Sequence, residues 1–193
     1  MRPQGVACDA GAFELVPFAY QPPTAVAGGP YEGLPNNAIA LSGASASDDD
    51  GDPLSYSWTV NSSNCAFSNA TTLNSSLTGS YTVTLTVDDS TVMTNDSATV
   101  TVITAPQGTK NLQSAIQSLV DDEILKTGQA KGLLTPLDNA ISSLDKGNVE
   151  DACNQLNDFI VKVDEKTPTP LDAATAAELI DSAKALKSSI GCQ

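Results

Sequence analysis

Residues 48–52 form the most chemically distinctive stretch of this sequence. They are Asp48, Asp49, Asp50, Gly51 and Asp52, so that four carboxylates lie within one short turn, which we call the acidic loop. Calcium is a hard ion that takes six to eight oxygen ligands, and a turn rich in carboxylates supplies several of them. Like charges at this density repel one another unless a cation relieves the repulsion. The sequence therefore predicts a calcium site in the acidic loop.

Other interpretations of the acidic loop must be weighed against this one. An EF-hand loop beginning at Asp48 would need Gly at its sixth position and Glu at its twelfth, where the chain has Pro53 and Thr59. A helix–loop–helix site is therefore excluded. Asp-Gly pairs are also ordinary turn formers, so a solvated turn without an ion is the alternative. If calcium binds, Asp88 and Asp89, after a later predicted strand, are candidates for a further ligand.

The lack of histidine limits the catalytic chemistry that the chain could perform. With no histidine in 193 residues, Ser-His and Cys-His nucleophilic pairs and histidine-ligated zinc are excluded. Neighbouring carboxylates occur at residues 121–123 and 150–151. Acids of this kind are favoured on solvent faces and in first helical turns for structural reasons. We therefore expect that the chain is not an enzyme.

Four cysteines offer covalent chemistry. Cys153 falls on a helical apolar stripe and Cys192 follows the last predicted helix of the same module, so we expect a disulfide between them. In the chain-entropy model, closing a loop of this length stabilises the fold by about 4 kcal/mol. Cys8 and Cys65 then remain, and they either join each other or stay free and buried.

The charge distribution limits the classes of partner. The formal net charge is −14, and residues 1–106 contain ten acidic residues against one basic residue, Arg2. A nucleic-acid backbone requires clustered basic groups that displace counterions, so nucleic acid is excluded. No apolar stretch approaches the roughly 18 residues that span a bilayer, so we expect no membrane insertion. Calcium and an extracellular protein or polysaccharide stay open as partners.

The segment that contains the acidic loop has the pattern of a β-sheet domain. Residues 23–104 alternate between apolar and polar side chains with period two, which predicts half-buried antiparallel strands. Seven short strands with one tryptophan indicate an immunoglobulin-like β-sandwich. Tyr56, Trp58 and Tyr81 share the apolar phase of the alternation, so we expect them in the core.

The remainder of the chain has helical spacing. Residues 105–110 are expected to be a linker, and residues 111–193 repeat apolar side chains at the spacing of an antiparallel four-helix bundle. Two helices are expected to start at Thr135-Pro136 and at Thr169-Pro170, with Thr as N-cap and Pro in the first turn. Alternatively, the first of these prolines lies inside a longer helix that begins near Gly128.

Residues 1–22 are too short to fold alone and read as an extended lead-in. The stretch from Arg2 to Glu14 resembles the closing rung of right-handed parallel β-helix proteins of bacterial surfaces. This resemblance implies that most of a larger parent protein lies upstream. The first residues lack the plan of a signal peptide, while the Ser/Thr/Asn-rich strands are typical of secreted proteins. We therefore expect that an export signal also lay upstream.

Residues 23–102 resemble a PKD domain. The resemblance is carried by Pro-Thr-Ala-Val-Ala-Gly-Gly-Pro-Tyr at 23–31, Leu-Ser-Gly at 41–43, Ser-Asp-Asp-Asp-Gly-Asp-Pro-Leu-Ser-Tyr-Ser-Trp at 47–58 and Gly-Ser-Tyr-Thr-Val-Thr-Leu-Thr-Val at 79–87. It implies that Asp48, Asp50 and Asp52 occupy the family's recurring acidic positions, with Asp49 in place of a common proline. It also implies extracellular contact with protein or carbohydrate.

The helical segment resembles the FIMAH domain, a C-terminal module of secreted bacterial proteins. The motifs are Leu-Asp-Lys-Gly-Asn at 144–148, Ala-Cys-Asn-Gln-Leu at 152–156, Phe-Ile at 159–160 and Leu-Ile at 179–180. This resemblance implies architecture and context and says little about mechanism.

Together these features favour a non-catalytic, calcium-stabilised binding, adhesion or spacer region at the C-terminus of a cell-surface or secreted protein. One alternative is an accessory region of a secreted enzyme that degrades polysaccharide or protein. Another is a subunit of an extracellular filament, in which the segment before Pro22 adds a strand to a neighbouring copy.

Overall fold

The computed structural model describes residues 20–69 and 71–192, in which nine strands are followed by four helices. The expected β-helix rung, Cys8 and most of the lead-in lie outside these residues.

The strands form an immunoglobulin-like β-sandwich, as the sequence predicted. They are β1 (Thr24–Val26), β2 (Tyr31–Gly33), β3 (Ala38–Ala40), β4 (Ser45–Ser47), β5 (Ser55–Val60), β6 (Cys65–Asn69), β7 (Thr72–Ser75), β8 (Gly79–Asp88) and β9 (Met93–Val102). Their sheets have the orders β1-β4, β2-β9-β8-β5 and β3-β7-β6. There are nine strands rather than seven, and four of them span only three residues, too few to show a period-two pattern.

The core of the sandwich lies between the three-stranded and four-stranded sheets. Both sheets contribute side chains to one buried cluster, for example Ile39 and Leu73 from one sheet and Val83 and Val100 from the other. The period-two alternation along β8 therefore decides which of its faces is buried.

The aromatic residues of the sandwich only partly follow the sequence prediction. Tyr81 is buried, and Trp58 is half-buried with its ring centroid 6.3 Å from that of Phe67. Tyr56, however, is 59% exposed, so its assignment to the core was wrong. The reason is that β5 is an edge strand of its sheet and pairs only with β8.

The helices form a closed four-helix bundle. They are α1 (Ala105–Asp121), α2 (Thr127–Asp145), α3 (Val149–Asp164) and α4 (Ala173–Ser189). Each helix contacts the next, and α1 also contacts α4. Short connections make consecutive helices antiparallel. The core includes the fully buried side chains of Leu133, Leu156 and Phe159.

The two expected Thr-Pro helix starts are not helix starts. Pro136 lies inside α2, which begins at Thr127, so the alternative of one longer helix is confirmed. Proline there removes a backbone hydrogen bond, but its ring is buried against the bundle, which offsets part of that cost. Thr169-Pro170 precedes α4, whose N-cap is Asp172; its carboxylate accepts a hydrogen bond from the Thr175 N–H at 2.7 Å.

The expected linker at residues 105–110 is helical instead. The α1 helix begins at Ala105, and only two residues separate it from the end of β9 at Val102. Thr104 and Gln107 form a capping box, in which each side chain bonds the backbone of the other. Local capping thus starts the helix at once and leaves the two modules almost directly joined.

Candidate functional site

The acidic loop connects β4 to β5 and is organised by one carboxylate. Oδ1 of Asp48 accepts hydrogen bonds from the backbone N–H groups of Asp50, at 2.9 Å, and Asp52, at 3.1 Å. Gly51 has a φ of 79°, in the left-handed region that side chains rarely adopt. The chain therefore curls around Asp48 and brings the neighbouring carboxylates back toward it.

Three of the predicted ligands are brought together. One carboxylate oxygen from each of Asp48, Asp50 and Asp52 lies within 4.8 Å of the other two. Oxygens that share one calcium ion lie about 2.3–2.6 Å from it, hence at most about 5 Å apart. The spacing in the acidic loop is thus compatible with a shared calcium ion.

The second oxygen of Asp48 provides a separate test of fit. Oδ2 of Asp48 is buried and has no hydrogen-bond partner among the described residues. A buried carboxylate oxygen without a partner is costly, because it has lost its water and gained nothing in return. A cation next to it would remove that cost, so the loop fits a hard metal ion.

The additional candidates, Asp88 and Asp89, are occupied elsewhere. Asp88 is not in the three-carboxylate group, and its Oδ1 accepts a hydrogen bond from the Ser90 N–H at 2.8 Å. Asp89 is only 4% exposed; it accepts a hydrogen bond from the Tyr20 hydroxyl and another from the Val92 N–H at 2.8 Å. The hydrogen bonds from Tyr20 and the Val92 backbone hold the pKa of Asp89 below its ordinary value.

Two residues from the end of the lead-in also belong to this site. The backbone N–H of Gln21 donates to Oδ2 of Asp50 at 2.7 Å, and Tyr20 bonds Asp89. The sequence reasoning missed both, since they lie before the domain boundary that it placed at residue 23 and belong to none of the matching motifs. The acidic loop therefore also holds the segment through which the chain enters the sandwich.

Tyr20 is expected to titrate well above an ordinary tyrosine. Desolvation, the hydrogen bond to Asp89 and the negative charges of Asp89, Asp48 and Asp52 raise the pKa of Tyr20 to about 12. A raised folded-state pKa stabilises the fold below the ordinary value of about 10, and this contribution is lost as the pH rises toward 12. A ¹³C NMR titration of the Tyr20 ring would measure it. In Asp89→Asn we expect a lower pKa; an unchanged value would contradict this assignment.

The cysteines of the two modules differ in their bonding. A disulfide joins Cys153 in α3 to Cys192 after α4, with Cα atoms 5.7 Å apart. Cys65 is buried in the sandwich and forms no disulfide with another described residue. Because Cys8 lies outside the described residues, both alternatives for that pair stay predictions.

Direct contacts join the sandwich to the bundle. The Asn111 side-chain amide donates to Oε1 of Glu32 at 2.7 Å, and that of Asn37 donates to the Ala185 carbonyl at 3.2 Å. Leu34, from the sandwich, packs against the core of the bundle. These contacts form what we call the module junction.

A glycine in α1 permits the close packing at the module junction. A Cβ atom added to Gly108 would lie 2.8 Å from Cδ2 of Leu186 and 3.1 Å from Cδ2 of Leu34. Both distances are below normal carbon–carbon contact. Only glycine therefore fits at this position without a shift of its neighbours.

Family comparison assigns both halves of the chain. Residues 20–104 match the PKD domain and residues 109–188 match the FIMAH domain. Both are non-catalytic families typical of extracellular or cell-surface modules. Neither a curated protein nor a solved structure matches the chain significantly.

Two further expectations bear on this assignment. The β-helix resemblance of the lead-in stays a prediction. No helix among the described residues is long and apolar enough to cross a membrane. By its two family matches, the chain contains a PKD domain followed by a FIMAH domain.

Proposed function

We propose that this chain is a non-catalytic extracellular binding, adhesion or spacer region whose sandwich is stabilised by calcium bound to the acidic loop. The observation that carries the calcium site is the convergence of three carboxylates with a buried, unpartnered Oδ2 on Asp48. The extracellular role is supported by the two module families. Extracellular calcium-binding modules work at high ambient calcium, where weak sites suffice.

In this proposal Asp48, Asp50 and Asp52 hold the ion. The ion supplies positive charge that offsets the repulsion among these carboxylates. The chain's own hydrogen bonds shape the loop and connect it to the lead-in. Oδ1 of Asp48 fixes the loop, and Asp50 accepts a hydrogen bond from the Gln21 N–H. Stiffening the loop therefore stiffens the segment that enters the sandwich.

The spacer role is supported by the path of the chain. The register of β9 with β8 places Met93 opposite Asp88, near the acidic loop, and Val102 opposite Gly79 at the other end. Ten strand residues at about 3.3 Å each span about 33 Å. The chain thus enters the sandwich at one end and leaves it at the other, directly into α1.

Calcium is expected to raise the thermal midpoint of the sandwich. Each tenfold rise in free calcium above the dissociation constant should add about 1.4 kcal/mol to the free energy of unfolding. For a domain of this size that corresponds to a rise of several degrees. Near-UV circular dichroism follows the sandwich through Trp58, the single tryptophan, in melts with calcium and with chelator.

The matched variants are Asp48→Asn and Asp158→Asn. The first alters the acidic loop and should abolish the response to calcium. The second removes an equal charge from an exposed position on α3 and should keep the response. An equal response in both variants, or none in the parent chain, would overturn the calcium site.

A further inference from the structure

A cleft of about 400 Å³ lies between the two modules. Its apolar lining includes buried Leu112 and Leu186 from the bundle and half-buried Ile103 from the end of the sandwich. Binding sites are commonly clefts of this size at domain boundaries, with apolar walls and a few polar groups. The cleft therefore has the form of a site for one side chain or a small ligand.

The charge of the cleft comes from Glu32 of the sandwich and Glu178 of α4. Both are exposed, and no basic side chain lines the cleft among the described residues. The described part of the chain has a single ion pair, between Lys184 and Asp181, so neither glutamate is paired. Lys110 lines a smaller adjoining depression that Glu32 shares, but it does not reach ion-pair distance.

The sandwich as a whole carries charge of the same sign. Residues 20–104 contain eight acidic residues and no basic residue. Most of these acids lie at the acidic-loop end, several Debye lengths from the cleft, so the attraction for a cation at the cleft comes from Glu32 and Glu178 themselves. Charge complementarity therefore selects a positively charged occupant.

We propose that this cleft binds an arginine side chain presented by a partner polypeptide. The aliphatic stem packs against Leu112 and Leu186, and the carboxylates of Glu32 and Glu178 bind the guanidinium group. Arginine is favoured because its planar fork of donors matches carboxylate geometry and sheds water more readily than an ammonium group does. The inference rests on the proposed binding role but not on calcium, since the cleft and the acidic loop lie at opposite ends of the sandwich.

The test uses the full chain, labelled with ¹⁵N, and the blocked tripeptide N-acetyl-glycyl-arginyl-glycinamide. The same peptide with citrulline, which is neutral and nearly isosteric, is the control ligand. We expect the arginine peptide to shift the amide signals of Asn111 and Ser182, which line the cleft. The citrulline peptide should shift them far less.

Matched variants test which carboxylates bind the arginine. Glu178→Gln should weaken binding about two- to fivefold, the range measured for exposed ion pairs. Adding Glu32→Gln should weaken it further, while Gln keeps the oxygen that accepts the Asn111 hydrogen bond. Glu150→Gln removes the same charge from an exposed position on α3, away from the cleft, and should leave binding unchanged.

Several outcomes would overturn the proposal. They are the absence of shifts, equal shifts with citrulline, shifts centred on the acidic loop, or equal weakening by Glu150→Gln and Glu178→Gln. Repeating the titration with chelator separates the two claims. Arginine binding without a calcium-dependent melt would support the cleft proposal and overturn the calcium site. A calcium-dependent melt without arginine binding would support the calcium site and overturn the cleft proposal.

Discussion

Replacing both Cys153 and Cys192 with Ala is expected to lower the free energy of unfolding of the bundle by about 4 kcal/mol. The bond closes a loop between residues separated by 39 positions, and the entropy of the open loop in the unfolded chain accounts for this value. Small domains have only about 5–15 kcal/mol in total. The bundle without its disulfide is therefore marginally stable.

Thermal melts followed at 222 nm measure the effect, because the helices dominate that signal. Reducing agent should lower the midpoint of the parent chain as far as the double replacement does, and should leave the midpoint of the double variant unchanged. If Cys65 has no bonded partner, reductant does not act on it. The Cys65→Ser variant should then show the same drop in midpoint with reductant as the parent chain. Equal midpoints for the parent chain with and without reductant would contradict the expected stabilisation.

Replacing Gly108 with Leu is expected to separate the two modules. The new side chain cannot enter the space already taken by Leu186 and Leu34, and overpacking of this kind costs about 1–3 kcal/mol. Because Leu186 also belongs to the bundle core, the strain is relieved most easily by moving the sandwich away. The hydrogen bonds of the module junction should then be lost.

Gly128 supplies the matched control for this prediction. It lies in the first turn of α2, and a Cβ added there meets nothing within 4 Å. Gly128→Leu should stabilise its helix slightly, by up to about 1 kcal/mol. Small-angle scattering should give a larger radius of gyration for Gly108→Leu alone. Identical radii and midpoints for both variants would show that Gly108 does not hold the module junction together.

Much of the fold could be predicted from local pattern. The alternation along β8 decided which of its side chains are buried, since period two leaves a strand only two faces. Helical spacing likewise predicted four helices. The errors lie where packing or position overrides pattern: Pro136 is tolerated inside α2 because its ring is buried, and Tyr56 is exposed because β5 is an edge strand.

The candidate site was predictable only in part. Asp48, Asp50 and Asp52 are close in sequence, so a single turn brings them together. Tyr20 reaches Asp89 across 69 positions, and no local pattern predicts such a contact. Asp88 ends β8, next to Asp89, yet it binds its own turn and not the acidic loop.

The sequence by itself determined the acidic loop, the two module types and the lack of histidine chemistry, because each depends on composition or on neighbouring residues. Only the tertiary structure decided that Oδ2 of Asp48 is buried without a partner and that the modules meet at Gly108. It also decided that Glu32 and Glu178 line one cleft. These features join residues far apart in the chain, and their distances depend on how the sheets and helices pack.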